Sequence, residues 1–160
     1  MKKIFISLLF AAVSIGAFAQ FEKGTKYFGA SATGFGFSYS KFEDFRLGLH
    51  VTGGYFLMDG LMALAEIGWD HQDRTNIFDC ALAARYYMKA NGIFCGGGIK
   101  YGHVGPSNVR NNVYISPEVG YCFYLNNHVS IEPAVYCDMC LNHFKDFTKV
   151  GFKIGFGYYF

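Results

Sequence analysis

Past residue 19 the chain has no apolar run approaching the roughly 20 residues that a helix needs to cross a bilayer, so any membrane role has to be carried by something other than helices. A charge bias is missing too. The whole chain carries 14 Lys and Arg against 12 Asp and Glu. Lys2 and Lys3 lie in the first nineteen residues, and the rest balances at 12 against 12. With no basic cluster to break that balance, nucleic acid is not an expected partner. Metal and phosphate motifs are absent as well. The glycines fall inside strand patterns and open no helix, so none forms a phosphate-cradling loop. Cys137 and Cys140 form a CxxC, but a second Cys pair for zinc and the βαβ surroundings of a redox site are lacking. The cysteines, Cys80, Cys95, Cys122, Cys137 and Cys140, are odd in number, so they cannot all pair, and the strand register below sets no two of them opposite each other. They read as small packed or membrane-facing thiols. No catalytic, cofactor-binding or metal-ligating residue is assigned, and no cofactor is expected.

What is present begins with an export pattern. Lys2 and Lys3 precede an apolar stretch from Ile4 to Ile15, and Ala17-Phe18-Ala19 supplies the small-x-small site. Residues 1–19 are therefore expected to be a signal peptide cleaved after Ala19, leaving one domain from Gln20 to Phe160. That domain is rich in aromatic residues, 19% of the chain, and in glycine, with 20 residues, as a β-rich protein is.

Apolar residues then alternate over segment after segment, the mark of strands with one apolar face. Val150, Phe152, Ile154, Phe156, Tyr158 and Phe160 share one side, and Lys149, Gly151, Lys153, Gly155, Gly157 and Tyr159 the other. Val129 to Cys137, Val113 to Phe123, Ile93 to Tyr101, Phe78 to Tyr86, Leu61 to Trp69 and Leu47 to Tyr55 repeat the split. The first strand, about Lys26 to Tyr39, changes parity between Ala32 and Phe35, which a bulge near Gly34 would reconcile. Pro117 and Pro133 sit at apolar positions but cannot donate ladder hydrogen bonds, so bulges are expected there too. Residues 60–67 and 80–90 contain good helix formers, yet Glu66 and Arg85 keep the polar parity of strands, and two helices would leave the sheet unclosed. Turns at 57–60, 89–92 and 126–128 are tight. The segments 40–45, 71–76, 103–112 and 142–148 read as longer loops, and short turns at one end with longer loops at the other are typical of bacterial outer-membrane barrels.

The placement of charge decides the environment. Across the last seven strands 37 positions lie on the apolar face, and a chain that is 16% charged would put about six charges there by chance; there are none. A water-soluble barrel would show the reverse. The expectation is an all-β, eight-stranded antiparallel transmembrane barrel, closed because an open sheet edge in hydrocarbon leaves backbone groups unpaired. The inward face carries Arg46, Glu66, Arg85, Lys100, Glu118, Glu132 and Lys153. Their signs alternate, and in a lumen just wide enough for side chains they are expected to form a neutralising network that plugs it. Glu66, Arg85, Glu132 and Lys153 count to similar depths above the tight turns, with Lys100 and Glu118 a little higher. The inward Gly96, Gly98 and Gly102 leave room for long side chains opposite. Tyr55, Trp69, Tyr86, Tyr101 and Tyr158, near strand ends, suit interfacial girdles.

With the signal, the eight strands, the Ser130-Ile131-Glu132-Pro133 strand start and the final Tyr158-Tyr159-Phe160, the chain resembles the small OmpA/OmpX-type outer-membrane barrels, and among them the single-domain barrels of Bacteroidetes. The resemblance covers essentially residues 20–160. It implies residence in the outer membrane amid its lipid and lipopolysaccharide. It also implies an assembly signal at Phe160 read by the barrel assembly machinery, a monomer, and a structural role in the envelope without catalysis. The chain departs from full-length OmpA in having no periplasmic peptidoglycan-binding domain after its eighth strand. Two other functions remain open. Some eight-stranded barrels modify lipid A through a Ser nucleophile and a His base, and His128 with Ser130, His71 with Asp70, or His103 with Ser107 are the candidates. His128 and Ser130 lie at the periplasmic end, the wrong one for that chemistry. The third possibility is a small pore or ligand-binding barrel.

Overall fold

The computed structural model describes residues 21–38, 47–72, 75–88, 91–104, 110–141 and 148–160. These form a single antiparallel sheet of ten segments: β1 (Lys26–Ser38), β2 (Leu47–Met58), β3 (Leu61–Gln72), β4 (Thr75–Tyr87), β5 (Ile93–Val104), β6 (Arg110–Ile115), β7 (Glu118–Tyr121), β8 (Phe123–Tyr124), β9 (Val129–Cys140) and β10 (Lys149–Tyr159). β6, β7 and β8 are three pieces of one strand, lying together between β5 and β9. The result is a ring of eight strands, closed where β1 pairs with β10 from Tyr27↔Tyr159 to Ser38↔Lys149. Twelve-residue strands such as β3 extend about 40 Å at ~3.3 Å per residue, and at a barrel tilt of about 40° they rise roughly 30 Å, the thickness of a bilayer core. Residues 61–67 and 80–87 lie within strands, so the helical alternative fails.

The ring is inside-out relative to a soluble protein. Among the described residues twenty-five large hydrophobic side chains are exposed while eleven hydrophobic residues are buried, and the exposed ones follow the outward parity along the strands, as Phe152, Ile154 and Phe156 do on β10, except Met58 past the register shift at the end of β2. Tyr55, Tyr86 and Tyr158 project outward near the tight turns, and Trp69 and Tyr101 near the opposite end.

The anticipated bulge in β1 is present: the register against β10 shifts between Thr33 and Phe35. The two anticipated at proline are not. β6, β7 and β8 hold one unbroken register against β9, from Tyr114↔Cys140 through Glu118↔Tyr136 to Phe123↔Ile131. Each proline simply withholds a donor, interrupting the ladder without displacing it. Pro117 separates β6 from β7, its carbonyl still accepting from Cys137 N at 3.0 Å, and both prolines point outward, where their rings meet no side chain of the lumen. The loop expected over 71–76 shrinks as well: β3 runs to Gln72 and β4 begins at Thr75, because the His71↔Asn76 and Gln72↔Thr75 pairs extend the ladder. The longest connections are 39–46 and 141–148, both at that end. Tight turns at the other end use Gly60 and Gly92 with positive φ of 79° and 72°, a conformation glycine adopts without penalty.

That tight-turn end has a floor. Phe21, ahead of β1, lies beneath the barrel and hydrogen-bonds through its carbonyl to Gly60 N at 2.7 Å. Its ring stacks on Tyr87 at 4.5 Å and packs against Phe56, Tyr124 and Tyr159. Together with Met62 and Phe94 these rings form the apolar core.

Candidate functional site: the charged lumen

Above the floor, six of the seven sequence-predicted charges fall among the described residues and point inward; Arg46 lies outside them, as do Ala19 and residues 1–19. Arg85 is the hub. Its Nε donates to Glu118 Oε1 at 2.8 Å, and its Nη1 donates to Glu132 Oε2 at 2.8 Å and to the Tyr87 hydroxyl at 2.9 Å. The guanidinium also lies over the Phe94 ring, 4.3 Å from its centre. Glu132 is satisfied several times over, accepting from the hydroxyls of Tyr159 (2.6 Å), Ser130 (2.8 Å) and Tyr27 (3.1 Å) and more weakly from Cys122 Sγ at 3.7 Å. Lys153 Nζ links Glu118 Oε2 at 2.7 Å to Glu66 Oε2 at 3.9 Å. Glu118, expected slightly above Arg85, is joined to it directly. The row of register partners through Arg85 runs Arg85↔Gly96↔Glu118, because rows in a tilted barrel climb relative to the membrane.

Lys100 has a partner that the sequence reading did not assign: Asp138 Oδ2, at 3.3 Å, with Ser116 Oγ donating to the other carboxylate oxygen at 2.6 Å. Nearer the end opposite the tight turns lies a second unanticipated group. His50 Nδ1 is 3.4 Å from Glu66 Oε1 and 3.6 Å from Asp79 Oδ1, while its Nε2 is 3.6 Å from Asp70 Oδ1. The free space beside these groups, walled by His50, Glu66, Lys100, Ser116, Asp138 and Lys153 among others, is a cavity of about 40 Å³, enough for a few water molecules and too small for an organic solute.

A shared device builds three of these contacts. Their partners lie two strands apart, with glycine on the strand between them. Strands are spaced about 4.8 Å, so the backbones to be bridged are roughly 10 Å apart, and any side chain on the middle strand would stand in the way. Arg85 meets Glu118 across Gly96, His50 meets Asp79 across Gly68, and Thr33 meets Asp70 across Gly48. A Cβ on Gly68 would strike both His50 and Asp79, and one on Gly48 both Asp70 and Thr33. Gly96 thus makes the room expected of it; Gly98 instead packs against Ala83 and the Leu82 carbonyl, and Gly102 faces Tyr114. An inward ion with an inward glycine beside it and an opposite charge beyond would have been the sequence signal for His50 and Asp79.

The proposed catalytic pairs do not assemble. Ser130 is buried and donates to Glu132, whereas His128 is exposed and stacks on Tyr158. Asp70 points inward and His71 outward, on opposite faces of β3, and His71 Nδ1 instead lies 2.9 Å from Asn76 Oδ1. His103 Nδ1 is 2.8 Å from Asn111 Oδ1, and Ser107 falls outside the described residues. Cys137 and Cys140 likewise face opposite sides of β9, and none of the five cysteines stands in register with another.

No protein-family model and no curated protein matches the sequence. Solved structures do match the fold. The N-terminal β-barrel domain of Pseudomonas aeruginosa OprF superposes with a TM-score of 0.70 at 14% identity, over 86% of this chain and 98% of that one. Neisserial surface protein A follows with 0.63 at 11% identity, over 86% and 98%. The attachment invasion locus protein Ail of Yersinia pestis, solved with the heparin analogue sucrose octasulfate, gives 0.58 at 14% identity, over 86% and 99%. At such identities the likeness is one of fold: the ring is that of small outer-membrane barrels.

Proposed function

We propose that the protein is an integral outer-membrane barrel, exported by a signal peptide cleaved after Ala19, with a structural role in the envelope and neither a transport path nor catalysis. The observation that carries this reading is the blocked lumen. Arg85, Glu118, Glu132 and Lys153 tie β4, β7, β9 and β10 together across the interior, directly above an aromatic floor. A buried charge of this kind is costly unless paired and hydrogen-bonded, and these are both, so the network holds the barrel shut. The outward band of Leu82, Ile67, Ile99 and Val119 supports residence in lipid, with lipopolysaccharide around the outer half. The signal pattern, the strand pattern and the terminal aromatics support a resemblance to the Bacteroidetes-type single-domain barrels. Phe160, whose N–H and carbonyl both bond Lys26 in the closing ladder, would be presented to the assembly machinery before closure, and the monomer is complete because its ring is closed.

Outer-membrane fractions run unheated and heated on a gel test the architecture, with a heat-modifiable band expected. Planar-bilayer recordings test the blocked lumen: the purified barrel gives no steady current. Stable single-channel conductance, altered by changing Glu66 or Arg85, would turn the plug into a gate and overturn the structural reading.

A further inference from the structure

We propose that the barrel holds a divalent transition-metal ion at the end of the lumen remote from the tight turns, bound by His50 Nδ1, Glu66 and Asp79, with Asp70 orienting the imidazole from its other side. The three ligand atoms lie within 4.8 Å of one another. The 3.4 and 3.6 Å separations around His50 Nδ1 exceed the 2.7–3.2 Å of a good N–H···O bond. They come close to the spacing of donors that share one ion: metal–ligand bonds of about 2.0–2.1 Å at a tetrahedral centre put neighbouring donors about 3.3–3.4 Å apart, and binding would draw the Glu66 and Asp79 oxygens together.

Hydrogen bonding points the same way. His50 is 3% exposed, yet among the described residues neither of its ring nitrogens has a hydrogen bond of acceptable geometry, and neither does Asp79 Oδ1. Buried polar atoms are nearly always satisfied, and here two of the unsatisfied ones, His50 Nδ1 and Asp79 Oδ1, face each other across 3.6 Å, while Nε2 lies on the far side of the ring beside Asp70. The cradle is built for it, since Gly68 beneath the cluster has no Cβ to push His50 and Asp79 apart. Charge agrees. Three carboxylates, Glu66, Asp70 and Asp79, face one imidazole; of the ammonium groups nearby, Lys153 reaches Glu66 at 3.9 Å but Glu118 at 2.7 Å, and Lys100 pairs with Asp138 at 3.3 Å. One imidazole and two carboxylates suit zinc or a similar first-row divalent ion. Asp70 Oδ1, 3.6 Å from the far ring nitrogen, would close on it to give the carboxylate–histidine–metal arrangement that fixes the tautomer, and the adjoining cavity has room for water as a fourth ligand.

The test uses the tag-free barrel, residues 20–160, refolded in detergent micelles, stripped with chelator and titrated with Zn2+ against a chromophoric competitor, then with Co2+ followed by its visible absorption. One equivalent is expected to bind, with the intense d–d bands of a four-coordinate Co2+ site. H50A should weaken binding at least 100-fold and D70N about 10- to 100-fold, the usual range for losing an outer-shell partner. G68A should abolish it while retaining all four side chains. H103A and H128A, which alter exposed histidines, should bind as the parent does. Heat-modifiable mobility confirms that each variant is folded. Binding that survives H50A and G68A would assign the metal to surface histidines and overturn the proposal, as would a barrel that takes up no Zn2+.

Discussion

The two halves of the lumen are both built from ionisable side chains around carboxylates, and they reach opposite degrees of satisfaction. Around Arg85 and Glu132 every contact lies between 2.6 and 3.1 Å, apart from the weak thiol, and five side chains converge on the Glu132 carboxylate. Around His50 the contacts stretch to 3.4–3.6 Å and ring nitrogens go without hydrogen bonds. The first half is a finished network that has no need of a ligand. The second is arranged around a gap. Side-chain reach explains part of the contrast: Arg and Tyr span the bore and donate in several directions, while His and Asp, shorter and with fewer donors, stop short of one another.

The sharpest way to break this comparison is Arg85→Ala. It removes the cation bonded to Glu132 and leaves Glu118 to Lys153, and should cost about 3–5 kcal/mol, measured by denaturant unfolding in lipid vesicles with Trp69, the single tryptophan, as reporter; a loss below about 1 kcal/mol would mean that water replaces the guanidinium and that the network is not a plug. Leu82→Arg comes next. Leu82 is 71% exposed in the middle of β4, and a charge there should cost roughly 2–4 kcal/mol if that surface meets acyl chains, but almost nothing in an aqueous setting. Tyr159→Phe removes the 2.6 Å bond to Glu132 and should cost about 1.5–3 kcal/mol, as bonds to charged groups do. Thr33→Val, across from Asp70 at 3.5 Å, should change stability by no more than about 1 kcal/mol. If it rivals Tyr159→Phe, the remote half is as tightly knit as the floor and the contrast disappears.

Alternating parity made the ring legible before any coordinates, since period-two patterning fixes which residues face lipid, and the absence of charge from one face fixes what that face meets. Glu66, Arg85, Lys100, Glu118, Glu132 and Lys153 were legible as inward for the same reason. Their partners were not. Pairing depends on barrel stagger, which sets Arg85 level with Glu118 and Lys100 beside Asp138, and stagger leaves no trace in the pattern of a single strand. Pro117 and Pro133 misled in another way: a missing donor was taken to imply an extra residue, whereas the ladder tolerates the gap with its register intact. The role of Gly48 and Gly68 emerged only when three neighbouring strands were seen together.

The seam between β1 and β10 joins residues more than a hundred positions apart, as in Tyr27↔Tyr159, while every other junction links consecutive strands. Until that last pairing forms, two naked borders are offered to any passing chain. The cell must therefore shepherd an open curl to its destination, and the cylinder becomes safe only at the instant of closure.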